Sequence, residues 1–189
     1  MVTMNEKLRQ IQALFVDADG VYFDGQEMRS VVGGAVVIGK QRSLQDGQGV
    51  SFLRELGLAI VFVSGDGDPL SSIVEKINGL PSAKSGRWKP VVFAPEGASK
   101  ADRITAWSSE SGVPLSSCAY FGDDVDDLSA MQRIKDAGGV SIAPQNATRR
   151  IREVVDTVTN ARGGSGALRE FADMLIDAYN RDEREFPPA

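Results

Sequence analysis

The sequence contains no histidine, so its acid–base or metal-binding chemistry has to come from carboxylates, lysine, hydroxyl groups or a bound metal ion. It has a single cysteine, Cys118, which excludes an internal disulfide framework and, among apolar neighbours, indicates a small buried residue. No apolar run approaches membrane-spanning length, and the N-terminus lacks the charged-then-apolar pattern of a signal peptide. We therefore expect a cytoplasmic protein with no membrane partner.

The sequence also has no excess of basic residues. Lysine and arginine total 21 against 26 acidic residues, which gives a net charge of −5. Because a nucleic-acid surface usually needs a basic face, no nucleic-acid partner is expected. The basic cluster of Arg149, Arg150 and Arg152 is interpreted as a solvated helix face or a subunit contact. The length of 189 residues suits one well-buried domain, so residues 1–189 are assigned to a single domain.

Short apolar runs alternate with helical patterns along the chain. This alternation predicts parallel βαβ units, and hence an α/β, Rossmann-like parallel sheet with helices on both faces. The predicted strands are 13–17, 59–63, 91–93, 119–121, 140–142 and, more weakly, 155–159; the predicted helices lie near 50–56, 70–77, 99–109, 126–134, 147–154 and 167–179.

One segment breaks the alternation, within residues 21–45. Two β-rich stretches, 27–32 and 35–40, are joined by Gly33-Gly34, which is typical of a tight hairpin turn. The hairpin either projects as a flap over the end of the first strand or packs its apolar residues into another subunit, because an isolated hairpin is marginal in water. Residues 79–90 are predicted to form a surface loop, and the tail 181–189 is predicted to be frayed.

The first strand ends in the sequence LFVDADG at residues 14–20. A buried parallel strand delivers its C-terminal end to the edge of the sheet where ligands bind. There, Asp17 and Asp19 can take different roles, one as nucleophile or metal ligand and the other as acid and base. The alternative is an Asp-rich turn, and this run alone does not decide between the two.

Polar residues also follow the later strands. Ser64-Gly65 offers a hydroxyl and a backbone N–H to a phosphate oxygen, although it is also a common turn. Lys100 begins a helix, where it and the helix N–H groups suit an anion, although a single lysine is more often exposed. Residues 122–127, GDDVDD, place four carboxylates within five residues. Such a cluster suits Mg²⁺, whereas an Asp-rich helix cap would use only one or two of them.

In their order, these motifs resemble the haloacid dehalogenase superfamily of phosphatases. More narrowly, the sequence is similar to the 3-deoxy-D-manno-octulosonate 8-phosphate phosphatase group. The likeness rests on DADGVYFDG at 17–25, DGQG at 46–49, GDDVDD at 122–127 and GGSGALREF at 163–171, and it extends over residues 14–179. Members of this group lack a large cap domain, and this chain has no room for one.

The resemblance implies a Mg²⁺-dependent phosphomonoester hydrolase that acts on a small sugar phosphate. Asp17 is then the nucleophile that forms an aspartyl-phosphate, and Asp19 is the acid and base. The carboxylates of Asp17 and Asp123 and the backbone carbonyl of Asp19 are the implied metal ligands. Lys100 offsets the charge of the nucleophile and the phosphate, and Ser64 binds a phosphoryl oxygen.

Further residues are implied around this centre. Asp124 and Asp127 would orient waters and the lysine from behind the metal ligands. Gly65, Gly164 and Ser165 would help to bind the phosphate or the substrate. The resemblance also implies a homotetramer, in which hairpins associate and the glycine loop at 163–166 reaches a neighbouring site. The alternative for that loop is a simple helix entry.

Two departures from the group's pattern bear on the substrate. The group usually has Thr-Gly-Arg after the second strand, where this chain has Ser64-Gly65-Asp66, and an arginine where Ser165 stands. Both changes remove guanidinium groups suited to a sugar acid. A nonulosonate 9-phosphate or another sugar phosphate therefore stays open as the substrate. The alternative functions are a phosphomutase or phosphotransferase of the same superfamily, which would normally carry a helical cap, and a non-catalytic binding protein.

Overall fold

The computed structural model describes residues 3–64 and 69–186. Short 3-10 turns at Leu115–Ser117, Val125–Asp127 and Glu183–Glu185 supplement the regular elements. The elements are α1 (Met4–Leu8), β1 (Ala13–Val16), β2 (Glu27–Val32), β3 (Ala35–Lys40), α2 (Leu44–Glu55), β4 (Ala59–Phe62), α3 (Leu70–Asn78), α4 (Pro81–Lys84), β5 (Val92–Phe93), α5 (Lys100–Ser111), β6 (Cys118–Phe121), α6 (Leu128–Ala137), β7 (Val140–Ala143), α7 (Arg149–Arg152), β8 (Thr157–Val158) and α8 (Ala167–Ala178).

Six of the strands form one sheet in the order β5-β4-β1-β6-β7-β8, and each neighbouring pair is parallel. At its centre, Phe15 of β1 lies opposite Val61 of β4 and Tyr120 of β6. The carboxyl ends of these three strands therefore meet at one edge, the position at which open α/β sheets bind ligands. The predicted α/β class, with its hairpin after the first strand, is confirmed.

Side chains of successive strand residues point alternately into two hydrophobic cores, one on each face of the sheet. Leu14 and Val16 of β1 face the core that α2, α3 and α8 cover, whereas Ala13 and Phe15 face the core beneath α5, α6 and α7. Cys118 is fully buried in the second core, where burial raises the pKa of its thiol to about 12. None of the described helices is long and apolar enough to cross a membrane.

The hairpin of β2 and β3 stands apart from the main sheet. Its antiparallel register runs from Glu27 opposite Lys40 to Val32 opposite Ala35, with Gly33-Gly34 at positive φ in the turn. The turn and both strands match the sequence prediction. Every residue of β2 is exposed, and so are the large apolar side chains of both strands: Met28, Val31, Val32, Val36, Val37 and Ile38.

The structure differs from the sequence predictions at several element boundaries. Helix α2 begins at Leu44, six residues before the predicted start. The prediction missed these residues because Gly47 and Gly49 have low helix propensity and weaken the helical pattern. A Cβ at Gly49 would lie 2.9 Å from the Cα of Arg169, so this glycine lets α2 pack closely against α8. Helix α4 interrupts the predicted loop at 79–90, and α7 is shorter than predicted.

The described part of the tail lies against the domain. Although residues 181–189 are predicted to be frayed, Phe186 is buried and its ring packs on Phe52 with 5.2 Å between centroids. The guanidinium of Arg181 lies 5.3 Å from the centre of the same ring. An apolar residue near the end of the chain is what fastens this segment to the core.

Buried Asp46, from the DGQG motif, has a structural role in this fold. Its two carboxylate oxygens accept hydrogen bonds from the backbone N–H groups of Gly166 and Arg169, each at 3.0 Å. Burial raises the pKa of Asp46, although these backbone bonds oppose the rise. Since the first N–H groups of a helix have no partner within it, Asp46 satisfies the start of α8 from a neighbouring helix.

Candidate active site

Asp17 lies directly beyond β1 at the carboxyl edge of the sheet. Its backbone N–H donates to the carbonyl of Phe121 at 2.9 Å, which fixes the position of the residue relative to β6. The chain then turns at Gly20, whose φ is +83°. A Cβ there would lie 2.0 Å from a carboxylate oxygen of Asp123, so only glycine allows this approach. The turn thus brings the motifs after β1 and β6 together.

Lys100, at the start of α5, joins three of the carboxylates. Its Nζ lies 2.8 Å from oxygens of Asp17, Asp126 and Asp127, and its side chain is only 13% exposed. Burial lowers the pKa of Lys100, but Asp17 and Asp127 outweigh that effect and raise it above its ordinary value. The ammonium group therefore stays charged beside Asp17.

Asp127 is fully buried and holds the centre of the cluster together. One of its oxygens accepts hydrogen bonds from Lys100 Nζ at 2.8 Å and from the Tyr120 hydroxyl at 2.7 Å. The other accepts from the backbone N–H groups of Asp123 at 2.9 Å and Asp124 at 3.2 Å. Four donors occupy this carboxylate, so it positions its neighbours and has little capacity left for a metal ion.

Asp123 is in the opposite situation. Its Oδ1 is buried and has no hydrogen-bond partner among the described residues. Oxygens of Asp17, Asp123 and Asp127 all lie within 4.8 Å of one another. Because Asp127 is already engaged, Asp17 and Asp123 are the carboxylates that fit a hard cation such as Mg²⁺.

The pKa values of this cluster reflect crowded negative charge. Burial, followed by repulsion from Asp127, raises the pKa of Asp17 to about 8 even though Lys100 opposes the rise. Burial and the charges of Asp127 and Asp124 raise the pKa of Asp123 to about 7. Groups whose pKa values are displaced in this way collect at functional sites, and additional positive charge would return both to the ionised form.

Asp19 faces the site from the turn after Asp17. Its carboxylate is 43% exposed and accepts a hydrogen bond from Lys40 Nζ at 2.6 Å. It borders a cavity of about 270 Å³ that is open to the outside. The lining residues are Asp17, Asp19, Gly20, Gly25, Asp123, Asp124 and Asp126.

Ser64 lies just past β4, and its backbone is held by a residue that the sequence did not indicate. The guanidinium of buried Arg103 donates to the carbonyl of Ser64 at 3.1 Å and to that of Pro95 at 2.9 Å. Arg103 lies three residues after Lys100 on α5, so this one helix positions both a charge and a strand end. Gly65 and Asp66 lie outside the described residues.

The glycine loop at 163–166 packs on the turn that follows β1 in the same chain. A Cβ at Gly163 would lie 1.8 Å from the carbonyl oxygen of Gly20, and the N–H of Gly164 donates to Val21 at 2.8 Å. Asn146 links the two segments, because it donates to Gly20 and accepts from Gly163. The loop thus buttresses the Asp17 turn, and Ser165 is its exposed residue.

The fold and the site together define a class of protein. A buried carboxylate that contacts a lysine, beside an acidic pair that fits a cation at the carboxyl edge of a parallel sheet, is an arrangement suited to metal-assisted phosphoryl transfer. The chain belongs to the haloacid dehalogenase-like hydrolase family, whose model matches residues 6–170. This match confirms the superfamily that the motifs predicted.

Similar proteins agree with this assignment. The 3-deoxy-D-manno-octulosonate 8-phosphate phosphatase of Haemophilus influenzae is 29% identical over 178 residues, which cover 94% of this chain and 89% of that protein. The cobalt-bound structure of the Haemophilus influenzae phosphatase superposes with a TM-score of 0.74, at 29% identity and with 92% of each chain covered. The Moraxella catarrhalis phosphatase, solved with magnesium, phosphate and 3-deoxy-D-manno-octulosonate, gives 0.76 at 26% identity, covering 97% of this chain and 96% of that one.

Proposed function

We propose that this chain is a Mg²⁺-dependent phosphomonoesterase that works through an aspartyl-phosphate on Asp17. The observation that carries the proposal is the placement of the Asp17 carboxylate. It is buried, lies 2.8 Å from the ammonium of Lys100, and has an oxygen within 4.8 Å of one from Asp123, whose Oδ1 has no hydrogen-bond partner among the described residues. A carboxylate that a lysine ammonium group holds in place at the mouth of a cavity is oriented to attack the phosphorus atom of an anionic phosphate ester.

The proposed reaction has two steps. In the first, an Asp17 oxygen bonds to phosphorus, the bond from phosphorus to the ester oxygen breaks, and Asp19 gives its proton to that leaving oxygen. In the second, a water oxygen bonds to phosphorus, the bond to Asp17 breaks, and Asp19 takes the proton of the water. Lys100 offsets negative charge in both steps, and Ser64 donates a hydrogen bond to a phosphoryl oxygen.

We further propose that Asp17, Asp123 and the backbone carbonyl of Asp19 hold Mg²⁺. The ion, when bound, would neutralise charge on the transferred phosphoryl group. Asp123 Oδ1 supports the assignment: it is buried with no hydrogen bond from the described part of the chain, and such an oxygen is costly unless something else binds it.

Saturating Mg²⁺ is therefore expected to raise the melting temperature. At about 100 times Kd, binding adds about 2.7 kcal/mol, which for a chain of this size is roughly 5–10 °C. Differential scanning fluorimetry with MgCl₂ and with EDTA measures the shift. Asp123→Asn should abolish it, whereas Asp136→Asn, at an exposed position on α6, should keep it. An undiminished shift in Asp123→Asn would remove Asp123 from the metal site.

For the substrate, we propose a small sugar phosphate, with phosphates of 2-keto-3-deoxy sugar acids as the first candidates. The names of the similar phosphatases support that class, at 24–29% identity. Ser165 stands where that group has an arginine, which favours testing several chain lengths. Phosphate release should be measured from eight- and nine-carbon sugar acid phosphates and from neutral sugar phosphates, with and without Mg²⁺. If none of these substrates is hydrolysed, the proposed function is refuted.

We also propose a homotetramer held by the β2–β3 hairpins. The support is the row of exposed apolar side chains on a hairpin that is not paired to the main sheet. A hydrophobic patch of this kind usually marks an interface.

Val31→Lys combined with Val36→Lys should yield monomers, because these residues face each other across the hairpin and would place charge within the interface. Size-exclusion chromatography with light scattering measures the mass. Glu110→Lys, which adds positive charge at an exposed position on α5 instead, serves as the control. A wild-type monomer at micromolar concentration would contradict the tetramer.

A further inference from the structure

The residue of greatest interest outside the expected catalytic set is Lys40. It is the last residue of β3, and its side chain is only 7% exposed. Its Nζ lies 2.6 Å from Oδ2 of Asp19 and 5.7 Å from the centre of the Phe23 ring. A lysine this well buried normally has specific partners, and one of them here is the carboxylate expected to move protons.

The backbone around the pair is well fixed. A parallel bridge links Asp19 to Phe23, and the N–H of Asp24 donates to the carbonyl of Gln41 at 3.0 Å. The base of the hairpin is thereby joined to the loop that carries Asp19. Lys40 therefore reaches Asp19 from a rigid neighbouring segment, whereas the Asp19 carboxylate itself is 43% exposed and would otherwise have several rotamers.

The pair also lies at a boundary between two spaces. A second cavity, of about 220 Å³, is lined by Asp19, Gly25, Gln26, Glu27 and Lys40. Asp19 and Gly25 line this cavity and the one beside Asp17. A phosphate beside Asp17 would thus carry the rest of its ester past Asp19 and toward Lys40.

We propose that Lys40 is a positioning residue that holds the Asp19 carboxylate on the leaving-group side of the site, an inference that rests on the proposed function. Lys40 itself touches no reacting atom in this scheme. Its hydrogen bond to Oδ2 selects the orientation in which the other oxygen, Oδ1, can meet the ester oxygen. The hairpin thereby contributes to catalysis through its base as well as offering a surface at its tip.

The test compares two leaving groups. p-Nitrophenol departs as an anion and needs no proton, whereas a sugar alkoxide needs one. The quantity to compare between the two substrates is kcat/KM, because it reports only the steps up to departure of the leaving group. Lys40→Met should lower kcat/KM for a sugar phosphate by about 30- to 100-fold and for p-nitrophenyl phosphate by less than about threefold. Lys40→Arg should restore most of the loss with the sugar phosphate.

The Asp19→Asn variant provides the second measurement. If Lys40 acts through Asp19, Lys40→Met should have almost no further effect in an Asp19→Asn background, because the two residues act as a unit. Additive losses, or equal losses with both leaving groups, would overturn the proposal. Lys135→Met is the matched control. Lys135 contacts Asp156 and the carbonyl of Val154, which line neither cavity, so its loss should leave both rates unchanged.

Two outcomes separate this inference from the function on which it rests. A wild-type protein that hydrolyses neither substrate overturns both proposals. If the wild-type protein is active and Lys40→Met keeps the same ratio of kcat/KM between the two substrates, only the role of Lys40 is overturned.

Melting temperature and Mg²⁺ affinity by calorimetry should stay at wild-type values in Lys40→Met, since the variant leaves the backbone and both proposed acidic ligands in place. A loss of either would indicate a general structural role and also overturn the inference.

Discussion

Asp17→Asn should reduce kcat by at least about 10⁴-fold, because it replaces the proposed nucleophilic carboxylate with an amide, which does not attack phosphorus. Asparagine has nearly the same shape, so the hydrogen bond from the Asp17 backbone to Phe121 should persist. The fold should persist as well. Burial and Asp127 raise the pKa of Asp17, which shows that its charge is unfavourable in the metal-free site, so its removal should not lower stability.

Two measurements check this result. Rapid quenching of the wild-type protein with labelled substrate should trap an alkali-labile acyl phosphate, and Asp17→Asn should incorporate no label. Steady-state phosphate release gives the loss of rate, with Asp136→Asn as a variant of the same type on the exposed face of α6. Label retained in Asp17→Asn, or a rate within tenfold of wild type, would assign the nucleophile to another residue.

The layout of the fold could be predicted from the sequence because its central strands are buried on both faces. β1, β4 and β6 contain almost only apolar residues, which is typical of parallel strands between two helical layers. The hairpin was predictable to the residue, since Gly33-Gly34 supplies the positive φ that its turn requires. Both features depend on local sequence alone.

Other elements depend on tertiary contacts. The N-terminal half of α2 contains Gly47 and Gly49, which weaken a helical pattern, yet Gly49 is needed for close contact with Arg169 on α8. Phe186 shows the same limit at the other end of the chain, because its contact with Phe52 spans most of the sequence. Neither contact leaves a periodic pattern that a local analysis could detect.

The candidate site shows the same division. Asp17, Asp19 and Asp123 could be predicted because they lie in short runs rich in aspartate, each at the end of a predicted strand. The residues that hold them in place are isolated in the sequence. Arg103 lies 39 positions from the carbonyl of Ser64, and Asn146 lies 126 positions from that of Gly20. Such partners become visible only when the chain is folded.

Tyr120 is the most instructive of these partners. In the sequence it is one more large residue in an apolar strand, and its ring does lie in the core. Its hydroxyl, however, donates to Asp127 at 2.7 Å in a fully buried position. Burial is the main reason that the pKa of Tyr120 is raised, so the hydroxyl remains a donor. The core thus supplies one of the four hydrogen bonds that fix Asp127.

The importance of this arrangement can be measured with Asp127→Asn. An asparagine keeps one oxygen and exchanges the other for an amide nitrogen, which is a donor. That nitrogen must face either Lys100 and Tyr120 or the backbone N–H groups of Asp123 and Asp124, all of which also donate. Neither orientation satisfies the site. We expect a loss of about 3–5 kcal/mol in the free energy of unfolding, as for a broken buried ion pair.

Activity should fall in the same variant by about 10²–10³-fold, because Lys100 loses a partner that aims it at Asp17. Urea unfolding measures the stability, phosphate release measures the rate, and Asp136→Asn again serves as the control. The Mg²⁺-dependent rise in melting temperature is the deciding observation. If Asp127 only positions its neighbours, the rise should persist in Asp127→Asn while Asp123→Asn loses it. Loss of the rise in both variants would instead make Asp127 a metal ligand, and its four donors would then have to rearrange when the ion binds.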